Sequence, residues 1–461
     1  MRTLALYGLG ILIAHTAMAE PPRFTVQDIG TLGGRFATAT GVNEAGQVTG
    51  YSETADGQIH AFVYANGQMQ DLGTLGGTGS LGAAINALGA VTGFALNTTG
   101  EEHTFIDAAG LMTDLGTAGT SSTGKAINVA GQIAGELTGA DGQKHAAIFM
   151  PGLAPNDLGA IGTTSTSEAI NDVGAVTGTY QDSNGMHAFL YNGGSVVDLM
   201  PGQGSFVSGT SAINNLGQIV GGYDAGGLTH AFLYAGGHAT DLGTLGGDYA
   251  VAVAISASGK VTGISARPDA ERHAFVYSAG VLTDVGTLGG PMSIGYALND
   301  AGQVAGQSLT ADFVSHAFVS TSGGLVDLGH LIEALHPSET VDESSAVGIN
   351  GRGVVIGTYN LFDPADPQMP VKARAFIATP PASLFDALIA LATGVGPGTS
   401  LIDKVEQALL FYTLGNTRDA CGALGGFIHE VNAQDGKKIA HATALQLLQE
   451  VGSIENVLGC Q

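Results

Sequence analysis

The chain has 461 residues, with 40 acidic against 15 basic side chains and a formal net charge of -25. Phosphate backbones repel such a chain, so nucleic acid is excluded as a partner. Only 12% of residues are charged and 44% are hydrophobic, which excludes an acidic disordered tail; the 73 glycines must serve turns. Trp is absent, which weighs against a Trp-faced sugar platform, although Tyr and Phe can substitute.

The first residues, MRTLALYGLGILIAHTAMAE, carry an early positive charge, a short apolar run and AMA before Glu20. This pattern predicts a secretory signal over residues 1–19, cleaved after Ala19. The expected location is outside the cytoplasm: extracellular, cell surface or periplasm. No later run approaches the roughly 18 apolar residues a membrane span needs, so a membrane-spanning chain is not expected.

From Asp28 the chain is periodic. The phrase DLGTLGG and its variants place an Asp at 28, 71, 114, 157, 198, 241, 284 and 327, in steps of 43 residues with one of 41. A second phrase keeps the beat, from GVNEAGQVTG at Gly41 through AINALGAVTG at Ala84 to GINGRGVVIG at Gly348. A third is HAF, at His60, His187, His230, His273 and His316, with HTF at His103, HAA at His145 and RAF at Arg374. Repeats near this length suit four-stranded propeller blades.

One unit reads as four strands. ATATGVN ends at Asn43; NEAG is type I turn chemistry; QVTGYS, IHAFVY and QMQDLG follow, separated by ETADGQ and ANG. DLGTLGG is then the crossover to the next unit, with glycines where backbones pass closely. The array opens with a lone fourth strand, RFTVQDIG, and ends with a third strand, ARAFIAT, that lacks a fourth. Pairing these two would close a ring and remove both edges. The prediction is a mainly β protein: an eight-bladed β-propeller over residues 20–379, closed by an N-terminal strand. An open solenoid of the same repeats is the alternative.

The repeated His and Asp are expected to be structural. In HAF, His and Phe share one strand face and Ala the other. One His per blade cannot share a metal, and Arg374 in the eighth position suits a hydrogen-bond donor. The set is His60, His103, His145, His187, His230, His273 and His316, with Asp28, Asp71, Asp114, Asp157, Asp198, Asp241, Asp284 and Asp327. No catalytic motif, metal site or cofactor is expected. Bound calcium is a further reading, but no D-x-D-x-D-G loop supplies its ligands.

Two units break the rule. The unit at Asp198 has DLMPGQGSF in place of the Gly phrase, read as a tolerated crossover variant. The eighth inserts HLIEALHPSETVDESS and NLFDPADPQMPVKA, read as solvated loops at the closure. These bring Asp342, Glu343, Asp363 and Asp366 to one blade as a candidate binding cluster.

After TPPAS the pattern turns helical. Residues 380–399 read as linker and first helix, the helix starting at a Ser383 cap, and 400–461 as a disulfide-linked helical module. Its helices are expected from Ser400, after an Asn416 cap, and from His441. Cys421 and Cys460 are expected to pair in an exported protein, the alternative being two free thiols.

The three phrases in fixed order resemble the bacterial extracellular HAF-repeat family over residues 24–378. That resemblance implies secreted or surface proteins and no particular activity. Residues 400–460 are similar to FIMAH-like helical modules, which implies an accessory attachment role. The expected function is therefore an exported, non-enzymatic interaction or scaffold protein binding an extracellular protein or glycan. The alternative is a secreted carbohydrate-active enzyme using the carboxylates of the eighth unit.

Overall fold

The computed structural model describes residues 24–116, 119–159, 161–200, 212–362, 371–396, 398–414 and 416–460. The expected signal segment and the candidates Asp363 and Asp366 lie outside these residues. So does most of the DLMPGQGSF crossover.

The chain is mainly β. In the first unit, Gly33–Val42 pairs antiparallel with Val48–Thr54, then Ile59–Ala65, then Gln68–Asp71. The NEAG turn forms because the Asn43 carboxamide oxygen accepts from the N–H groups of Ala45 and Gln47, while Gly46 takes φ +78°. The Gly that ends the second phrase is also required. A Cβ on Gly50 would fall on the Thr38 carbonyl, where the inner strand bulges.

Among the described residues, four of the sheets have four strands. Two more have eight, each being two antiparallel meanders joined by one parallel pairing, Ile59↔Gly79 or Arg272↔Met292. Between meanders the crossover is fastened by a serine. The Ser80 hydroxyl donates to the Gly73 carbonyl and accepts from the Ala61 N–H at 2.9 Å. Ser122, Ser165, Ser293 and Ser344 make the same tie from their inner strands to the preceding HAF strand. The HAF phenylalanines Phe62, Phe105, Phe189, Phe232, Phe275 and Phe318 are fully buried between sheets. In the HAA unit, Phe149 takes over the filling two residues on.

The succession closes on itself. Thr25–Asp28 pairs antiparallel with Val371–Thr379, with Asp28 opposite Phe376, completing the sheet of the last unit. Ile356 and Ala375 of that sheet share a buried cluster with Val48 and Phe62 of the first.

The insertion after Asp327 is not the solvated loop expected. Leu328–Leu335 is a helix, α1, because Asp327 caps it by accepting from the His330 N–H at 2.9 Å. Leu328 and Ile332, one turn apart, are buried against the closing sheet.

Among the described residues four helices follow: α2 (Pro381–Ala392), α3 (Ser400–Thr413), α4 (Thr417–Gln434) and α5 (His441–Leu458). They share one core, in which Phe385 and Leu388 of α2 pack with Val405, Phe427 and Leu447. Helix α2 starts earlier than expected, because Pro381 is preorganised for the first helical position. Ser383 is not its cap; it donates to the Arg352 carbonyl at 2.8 Å and pins the bundle to the last unit. Cys421 and Cys460 form a disulfide. Among the described residues no helix is long and apolar enough to cross a membrane.

Candidate functional site

The repeated His and Asp meet within each sheet. His60 Nδ1 lies 2.9 Å from Asp71, and the same contact recurs at His103–Asp114 and His145–Asp157 at 2.9 Å. It recurs at His187–Asp198 (3.3 Å), His230–Asp241 (2.8 Å), His273–Asp284 (2.8 Å) and His316–Asp327 (2.9 Å). The Asp also accepts a backbone N–H two residues on, as Asp71 does from Gly73 at 2.7 Å, which sets the start of the crossover. All but Asp198 thus hold the imidazole and the chain exit together by hydrogen bonds; His187 is bonded instead through Nε2 to Asp182 at 3.1 Å.

The hydrogen bond that His145 donates to Asp157 raises its imidazole above the ordinary value, and the bond that His316 donates to Asp327 does the same. Burial alone would raise the Asp241 and Asp327 carboxyls. The bonds they accept outweigh it and hold both below the usual range. Tyr180 and Tyr223, beside Asp198 and Asp241, are pushed up to about 12 by burial and then by those carboxylates.

The closing unit uses different chemistry. Arg374 stands where the others have His, two residues before Phe376, the residue opposite Asp28. Asp28 accepts from the Tyr359 hydroxyl at 2.8 Å. That hydroxyl lies 2.8 Å from His336 Nε2, and His336 Nδ1 lies 3.0 Å from Glu339. Tyr359 is only 1% exposed, and burial, then the Asp28 charge, push its phenol far above the ordinary range.

Of the four candidate carboxylates, Asp342 and Glu343 sit exposed on Thr340–Ile349, Asp342 at a bulge. Glu343 accepts from Asn360 Nδ2 at 2.8 Å and lines a cavity of about 170 Å3 with Gln307, Ser345 and Tyr359. Asp342 does not line it. Among the described residues no group of three or more His, Cys, Asp or Glu side chains is placed to hold a metal ion.

A second site, which sequence reasoning missed, lies where the first turns of the units converge. The Asn of each AIN phrase caps its own turn and donates its Nδ2 to the carbonyl of the next: Asn43 to Asn86, Asn86 to Asn128, Asn128 to Asn171, Asn171 to Asn214, and Asn214 to Ser256, at 3.0–3.1 Å. Asn299 donates to Asn350 at 3.2 Å and Asn350 to Asn43 at 3.0 Å. The circle has one gap, because Ser256 has no amide to reach Asn299.

Inside this circle lie two cavities, of about 340 Å3 and 230 Å3. Residues as distant as Asn43 and Asp172 line the larger, so it lies across the middle of the ring. Val42, Ile85, Ile127, Ile255, Leu298 and Ile349 line the two between them. The signal was available: each is the residue before the turn Asn or Ser, and each is aliphatic. Ile170 and Ile213, the equivalents in the fourth and fifth units, line neither cavity; an aliphatic lining of this kind can take apolar groups out of water.

No protein-family model matches the chain, and no curated protein matches it. Solved structures do. One is a puromycin-hydrolyzing peptidase of Mycobacterium tuberculosis, at 12% identity and TM-score 0.42 over 75% of this chain and 62% of that one. Another is the β-propeller domain of the Trilobed protease of Pyrococcus furiosus, at 11% and 0.40 over 55% and 82%. A third is dipeptidyl peptidase 4 of Porphyromonas gingivalis, at 11% and 0.42 over 70% and 57%. The chain thus spans less than two thirds of the first and third. Likenesses this distant describe a propeller-like fold and transfer no activity. They do correct the expectation of a non-enzymatic scaffold. The matched propellers belong to chains named as peptidases or a protease, and the non-enzymatic reading is dropped.

Proposed function

We propose that the chain is an exported, eight-bladed propeller of HAF-repeat type, with a FIMAH-like helical module, that engages substrate at its axial mouth as part of an enzymatic activity. Eight turn phrases and the circle of Asn bonds through their positions support the blade count. The observation that carries the functional reading is the mouth itself, an aliphatic row open to cavities in the middle of the ring. The peptidase names of the matched structures suggest a polypeptide substrate. The Cys421–Cys460 disulfide supports export.

The test is turnover by the purified protein of a fluorescent casein and of a dye-linked polysaccharide panel, wild type beside Ile85→Asn and Ile127→Asn. Protein cleavage reduced in both variants, with unchanged circular dichroism, is the expected result. Polysaccharide turnover that survives both variants would move the site to the Glu343 cavity and end this reading.

A further inference from the structure

We infer that the mouth selects a polypeptide segment carrying aliphatic and basic side chains together. This rests on the mouth being the substrate site and names what that site accepts. The floor is aliphatic, as described. The rim continues it on one side only. Leu88 is 77% exposed, Val129 41%, Val173 76% and Leu216 71%, and all four sit on consecutive first turns. Turns gain nothing structurally from large apolar tips in water; the first unit has Ala45 at the position of Leu88. Of the four, Val129 lines the larger cavity, and exposed apolar groups beside a cavity mark a contact surface.

The charge on that arc has one sign. Glu44 and Asp172 line the larger cavity. Each is held in place by a neighbouring turn: Glu44 accepts from the Gly351 N–H at 2.9 Å, and Asp172 from the Val129 N–H at 3.0 Å. The first five turns, 43–46, 86–89, 128–131, 171–174 and 214–217, contain no Lys or Arg. The cations of the circle are Lys260, on the sixth turn, and Arg352, on the eighth, directly after the Gly351 that holds Glu44. Lys260 donates to the Asp300 carbonyl at 2.8 Å. An apolar arc with fixed carboxylates and no cation fits a segment that puts aliphatic side chains on the floor and ammonium or guanidinium groups at the rim. It disfavours an acidic segment of the same hydrophobicity, and the -25 charge of the whole chain acts in the same direction.

The experiment is fluorescence anisotropy with three labelled, end-blocked 12-residue probes: Leu/Lys, Leu/Glu and Ser/Lys. Each is measured against the full-length protein and a triple variant, Leu88→Ser, Val173→Ser and Leu216→Ser, whose changes are all at exposed positions. The Leu/Lys probe should bind, the other two should bind at least about tenfold more weakly, and the triple variant should lose about tenfold for Leu/Lys. An Asp172→Asn variant should weaken Leu/Lys binding while leaving Leu/Glu unchanged or improved. If Leu/Glu binds as well as Leu/Lys and the triple variant loses both, the mouth stands as the site and the basic class is overturned. If the triple variant binds Leu/Lys as wild type does, or no probe binds, the inference itself is overturned. Casein cleavage lost in Ile85→Asn would then still support the mouth as the substrate site.

Discussion

The seven His-bearing units and the unit that ends at Thr379 solve one problem in two ways. In the seven, the outer-strand Asp lies 11 or 12 residues after its His, so the bridge is local and can form as the meander forms. In the last, the outer strand is Thr25–Asp28, and the Tyr359–Asp28 bond joins residues 331 apart. Local bridges are replicated from unit to unit, whereas the closing one must await the whole ring and pay its loop entropy at once. The closing unit accordingly carries additions found in no other unit among the described residues: helix α1, a buried Tyr bonded to both a His and an Asp, and the anchor for the helical bundle through Ser383.

The strongest way to break this comparison is to remove the closing strand. A protein starting at residue 31 leaves Val371–Thr379 as an unpaired edge. We expect a fall in melting temperature of about 10 °C or more, with aggregation, because the loss of a whole strand amounts to several kcal/mol and each is worth roughly 2 °C in a large domain. Calorimetry showing an unchanged transition would mean the ring does not depend on closure.

Next in size is Tyr359→Phe against His273→Gln. Removing the hydroxyl strands a half-buried carboxylate and an imidazole, and should cost about 2–3 kcal/mol in urea unfolding. The His273 variant keeps a donor to Asp284 and should cost about 1 kcal/mol. Equal costs would erase the difference between the two kinds of unit.

The local bridges also predict a pH dependence. His145 and His316 are raised in the folded state, so their stabilisation is complete below about pH 6.5. It is lost as pH rises through their raised values, and stability should decline from there toward pH 8. Asp241 and Asp327 are lowered. Their contribution is present above about pH 4 and disappears as pH falls through the folded values. A His145→Gln, His316→Gln double variant should flatten the neutral slope and leave the acid limb in place. An unaltered slope would exclude these bridges as its source.

The smallest effect tests the gap in the Asn circle. Ser256→Asn supplies the missing Nδ2 donor toward Asn299 and should stabilise by about 1 kcal/mol. Chemical denaturation showing a loss instead would mean that the seventh turn stands too far away.

Much of this was legible before any coordinates. Asn43 and Gly46 declare a turn, the period of the Asp declares the crossovers, and the lone strand at each end declares the closure. Asn416 caps α4 as its position predicts, accepting from the Asp419 N–H at 3.2 Å. What misled was local chemistry with two outlets. HLIEALHPSET is acidic and carries a Pro, which reads as loop, yet Asp327 starts a helix whose Leu328 and Ile332 find a cover only in the closing sheet. Ser383 has the right residue type for a cap, but a carbonyl from residue 352 claims it.

The sequence by itself determined the repeat, the strand and turn pattern, the four C-terminal helices and the pair of cysteines. These depend on residues within one unit or one helix, where periodicity and turn chemistry act locally. Only the tertiary structure decided that six of the aliphatic residues before the turn Asn or Ser would line the two central cavities, and that Tyr359 would lie between His336 and Asp28. Both depend on distances between units, set by how the sheets pack against one another.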